Sequence, residues 1–83
     1  MVMGRFVFYS EEYVAKTKQY IKDFDKFGDK VPSIDGLARA LGIGLKTLYD
    51  WEKDPDKLEF SLAMDILRKK QIGLIRLHNI EQN

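Results

Sequence analysis

The stretch "VPSIDGLARALGIGLKTLYDWEKD", Val31 to Asp54, holds two short apolar patterns pinched together at Gly42 and Gly44. Pro32 discourages helix at Val31, and Ser33 can accept a backbone N–H at a helix start. Ile34, Leu37, Ala38 and Leu41 then recur at helical spacing until Gly42 interrupts them. Leu45, Leu48 and Trp51 carry a second pattern to about Lys53. The spacing predicts helices over 34–41 and 45–53, joined by so short a connection that they must cross steeply, as in a helix-turn-helix. Gly42 can take the positive φ that such a turn needs. Ala38 is small enough to keep the helices close, and Ile43 is expected to point back into the core. Leu37, Leu41, Leu45, Leu48 and Trp51 are expected to complete an apolar wedge.

An ordinary helical hairpin with no partner would show the same wedge, so the side left outside has to decide. With Leu45, Leu48 and Trp51 inward, Gly44, Lys46, Thr47, Tyr49, Asp50 and Lys53 face outward. The first of these stand at a helix N-terminus, where free N–H groups favour a phosphate. Lys46 and Thr47 suit phosphate or base-edge contacts, and Tyr49 suits a sugar or a thymine methyl. Asp50 opposes phosphate unless it pairs with Lys46 or Lys53, or accepts from a cytosine amine.

On either side of this stretch the pattern is also helical. Ser10 is a plausible N-cap, and Glu11 and Glu12 suit a first turn. Tyr13, Thr17, Tyr20, Phe24 and Phe27 share one face, with Val14 and Ile21 beside them, and Gly28 is a natural stop, which predicts a helix over 11–27. After Asp54-Pro55-Asp56, nothing but Gly73 weakens a helix from Lys57 to about Gln82. The expected fold is all-α, a small helix-turn-helix domain of about four helices with a long C-terminal helix. The expected division is residues 1–56 for the domain and 57–83 for the long helix, read as the start of an oligomerisation region.

The far end of that helix carries Ile72, Leu74, Ile75, Leu77 and Ile80, which point in nearly every direction. A helix apolar all round is buried against something. The first three helices are too short to cover it, so the expectation is packing on another copy; folding back on the first helix is the alternative. The cluster Arg68-Lys69-Lys70 is expected to be a solvated face rather than a phosphate contact.

Composition constrains the function further. With 83 residues and no cysteine, the chain is one small domain that no disulfide or thiolate metal site can staple, which again favours oligomerisation. Net charge is only +1, and residues 31–60 hold four basic against six acidic side chains. A lone protomer of this charge would bind DNA weakly, whereas linked copies gain about 10²- to 10⁴-fold in avidity. No signal peptide or bilayer-length apolar run is visible, so an intracellular chain with no membrane role is expected. His78 lacks metal-ligating neighbours, and "GIGLKT" has Leu45 where a phosphate loop needs glycine before its lysine. No enzyme activity, metal or cofactor is expected.

Gly4-Arg5, Tyr9-Ser10-Glu11-Glu12-Tyr13 and above all "VPSIDGLARALGI" and "KTLYDW" resemble the small terminase subunits of tailed bacteriophages, their DNA-packaging proteins. The similarity spans about residues 4–72 and is most specific over 31–53. It implies recognition of viral double-stranded DNA in the bacterial host cytoplasm, assembly into a homo-oligomeric ring, and hand-over of DNA to a large subunit carrying the ATPase and nuclease. Carried onto this sequence, it implies that Arg5, Lys46, Thr47, Tyr49 and Lys53 face DNA. Phe6 stands where relatives often have proline after the Gly-Arg pair, and Gly44 where they commonly have a capping serine. The chain stops where the family's helical hairpin would begin, so a fragment or a short relative is expected. The competing readings are a small prophage helix-turn-helix regulator that binds DNA as a dimer, and a protein-interaction module that has lost DNA binding.

Overall fold

The computed structural model describes the backbone over residues 8–82 and the side chains over residues 8–77. Within these residues the chain is helical, with no strand: α1 (Glu11–Asp23), α2 (Ile34–Leu41), α3 (Leu45–Lys53) and α4 (Leu58–Gln82). A 3₁₀ turn, Phe24–Phe27, extends α1, and a second, Pro55–Lys57, leads into α4.

Local chemistry sets these boundaries. Ser33 caps α2, its hydroxyl accepting from Gly36 N–H at 2.9 Å. Gly42 ends α2 at φ 71°, and its N–H and that of Ile43 both donate to the Ala38 carbonyl, at 2.9 and 3.1 Å. That paired closure is the reason a glycine stands there. Asp54 accepts from Asp56 N–H at 2.9 Å and pairs with Lys57, with Pro55 opening the 3₁₀ turn. Ser10 does occupy the N-cap position of α1, but through its backbone carbonyl, which accepts from Tyr13 N–H at 3.0 Å; its side chain makes no capping bond.

One core joins all four helices. Val14, Tyr20 and Ile21 of α1 meet Leu37 and Ala38 of α2, Ile43 of the turn, Leu48 and Trp51 of α3, and Phe60, Met64 and Leu67 of α4. Trp51 is its aromatic centre. Tyr9, Tyr13 and Phe60 pack around it with ring centroids 5.2, 5.1 and 5.5 Å away, Tyr9 and Phe60 edge-on.

Three expectations change. The first helix is α only to Asp23; its last turn tightens to 3₁₀, where 3.0 residues per turn replaces 3.6. Phe27 is thereby carried off the buried face and is exposed, its edge resting on Tyr20. Leu45 was expected in the wedge but is 39% exposed. It is the first residue of α3, and a side chain there leans back over the turn rather than onto the body of the helix. The cluster Arg68-Lys69-Lys70 is not one solvated face: Lys69 is exposed, but Arg68 binds Glu52 on α3, and Lys70 Nζ donates to the Ile21 carbonyl at 2.8 Å. Lys70 also lies 5.2 Å from the centre of the Phe24 ring, so it closes the end of α1 from across the bundle.

Beyond Leu67 the apolar residues of α4 are mostly outside the core. Ile72, Ile75 and Leu77 are exposed and Leu74 is half-buried. The Ile80 side chain lies outside the described residues. Gly73 does not interrupt the helix.

Candidate nucleic-acid interface

The α2–turn–α3 segment sorts its residues by helical period. Leu48 and Trp51 point into the core, which turns Lys46, Tyr49, Asp50 and Lys53 outward. Gly44 is exposed at the N-cap of α3, with φ −78° and no side chain to close the helix, so the first N–H groups of α3 have no side-chain cap. Thr47 is half-buried at the edge of this face. Lys46, at 90% side-chain exposure, reaches back to Asp50, with Nζ 3.3 Å from Oδ2. Asp50 is itself 60% exposed. An exposed i,i+4 pair of this kind contributes only about 0.3–0.5 kcal/mol, so Lys46 can be drawn to another anion at little cost. Arg5 lies outside the described residues.

Two acids on α3 therefore have different situations. Glu52 sits on the inner flank, where Arg68 grips both its oxygens, with Nη2–Oε1 at 2.8 Å and a second bond from Nη1 to Oε2. That bond holds the Glu52 carboxyl below its usual range, partial burial opposing the shift. The same bond pushes Arg68 further up. Asp50 has no such clamp and faces solvent with Lys46.

The supports behind this face are not apparent in the sequence. Arg68 ties α3 to α4, and Lys70 ties α4 to α1. The N-terminus of α2 is fixed by a network that runs from the buried Tyr20 ring out to the exposed Arg39. The Tyr20 hydroxyl donates to Asp29 and accepts from Ser33 N–H at 3.2 Å, and Arg39 holds the other Asp29 oxygen at 2.6 Å. Burial, and then the bond to Asp29, raise the Tyr20 phenol above its ordinary range. Gly36 makes room for this network, since a β-carbon there would overlap the Tyr20 hydroxyl and the Asp29 carboxylate. A glycine inside a short helix costs about 1 kcal/mol against alanine, and that oddity was the available signal.

Among the described residues, no group of three or more His, Cys, Asp or Glu side chains is placed to hold a metal ion. No helix of the described residues is long and apolar enough to cross a membrane.

The sequence model of the family described as "DNA-packaging protein gp3" matches residues 4–74. No curated protein and no solved structure matches the chain significantly. The matched span takes in α1, the whole α2–turn–α3 segment and two-thirds of α4, and so the chain belongs to the DNA-packaging protein gp3 family, whose role is in packaging the viral genome of bacteriophages.

Proposed function

We propose that this chain is the DNA-recognising small subunit of a phage packaging apparatus, acting with a large ATPase and nuclease subunit. Its α2–turn–α3 segment works as a helix-turn-helix, with α3 entering the major groove of double-stranded DNA. Gly44, Lys46, Thr47, Tyr49 and Lys53 make the contacts, and Arg5 adds one from the N-terminal arm. Several copies act together through the far end of α4, in the cytoplasm of the bacterial host. The chain itself carries no catalysis.

The observation that supports this reading best is the orientation of α3. Its Lys46 end is open to solvent, while Leu48 and Trp51 anchor the opposite side against α1 and α4. Membership of a DNA-packaging family supplies the context. The test is a salt titration of binding to duplex DNA. The expected plot of log affinity against log salt is linear, and Lys46→Ala makes its slope shallower by about 0.9, one phosphate contact. A slope unchanged by that substitution removes Lys46 from the interface, and salt-independent binding removes the interface altogether.

A further inference from the structure

We infer that Asp50 is the specificity-determining residue of the α3 face, admitting duplexes that offer a cytosine amine beneath it and rejecting the rest. The inference rests on the reading of α3 as a groove-entering helix. Lys46, Asp50 and Lys53 stand at i, i+4 and i+7, on one exposed stripe of α3. Seven residues of α-helix span about 10.5 Å, against a major groove about 12 Å wide. A pose that brings both lysines to the phosphates bordering the groove therefore holds Asp50 between them, above the base edges.

In the free chain the Asp50 carboxylate is answered by Lys46 at 3.3 Å. When Lys46 turns to a phosphate, Asp50 loses that partner. Glu52, the other acid of α3, raises no such problem, because Arg68 already neutralises it from the core side. An uncovered carboxylate in the groove is repelled by phosphates and accepts only where a donor is presented. Among base edges in the major groove that donor is the N4 amine of cytosine or the N6 amine of adenine. Adenine sets an acceptor, N7, beside its amine, which a carboxylate cannot answer, so cytosine fits best. Lys46 and Lys53 thus supply attraction to any duplex, and Asp50 withdraws it from duplexes lacking the right base.

The test compares the parent chain with Asp50→Asn and Asp50→Ala, both at an exposed position, on duplexes selected from a random pool and on an arbitrary duplex. Both variants are expected to bind the arbitrary duplex roughly three- to tenfold more tightly, as one repelled charge is removed. Selection with the parent should favour cytosine at one position, and both variants should lose that preference, Asp50→Asn shifting toward adenine. If both variants keep the parent's affinity and base preference while Lys46→Ala still weakens binding, the assignment of Asp50 is overturned and the DNA-facing role of α3 stands. If none of the chains binds duplex DNA in a salt-dependent way, the reading of α3 fails and the inference with it.

Discussion

Gly36 and Gly42 are six residues of sequence apart, yet only one of them could be understood from its neighbours. Gly42 closes a helix at φ 71°, and the apolar patterns on either side of it announce a turn. Gly36 has ordinary helical geometry; its constraint comes from Tyr20, fully buried on another helix, and from Asp29 in the intervening loop. Gly36→Ala is accordingly expected to cost about 2–4 kcal/mol, combining overpacking with loss of the part-buried Tyr20 hydrogen bonds. Urea unfolding would measure it, with Gly44→Ala as the comparison, since a β-carbon at Gly44 meets open space. Equal effects of the two substitutions would mean that Tyr20 can move aside.

For the elements, what was legible depended on how local the determinants are. The bounds of α2 and α3 follow from Ser33, Gly42 and the apolar spacing, and both helices run as expected. The outward direction of Lys46, Tyr49, Asp50 and Lys53 follows from the same period, and the Lys46–Asp50 pair follows from their i,i+4 spacing. Leu45 and Phe27 were misplaced because a regular period takes no account of a helix end or of a tightened last turn. Arg68 and Lys70 were misread because their acceptors, Glu52 and the Ile21 carbonyl, belong to other helices. The α3–α4 pair has a consequence for pH dependence. The Glu52 carboxyl is held below its ordinary value of 4.5 in the folded chain, so the pair's stabilisation is present above pH 4.5 and is lost as pH falls below it. Glu52→Gln is expected to lower stability at pH 7 by about 1 kcal/mol, a modest figure because Arg68 is partly solvated, and to flatten the acid limb of a stability–pH curve. An acid limb identical to that of the parent would show that Arg68 does not hold Glu52 in solution.

At the scale of the molecule, two features need a common explanation. The chain carries a net charge of only +1, too little for one copy to hold DNA firmly. It also sends α4 past the core, with Ile72, Ile75 and Leu77 exposed beyond Leu67, the last buried residue among those described. Association of copies through that end would cover the apolar surface and sum several weak DNA contacts at once. Replacing Ile72 and Ile75 together by glutamate places charge on exposed side chains outside the core cluster, so the helical content and thermal unfolding of the domain should change little. The mass from light scattering should fall to that of one protomer, and duplex affinity should drop by about 10²- to 10⁴-fold, the avidity of linked sites, while the salt slope per protomer stays the same. A variant that keeps the parent's mass would place the contact between copies elsewhere on the fold. One that becomes a protomer yet binds DNA as tightly as before would show that a single near-neutral domain suffices, and the far end of α4 would then need a different partner.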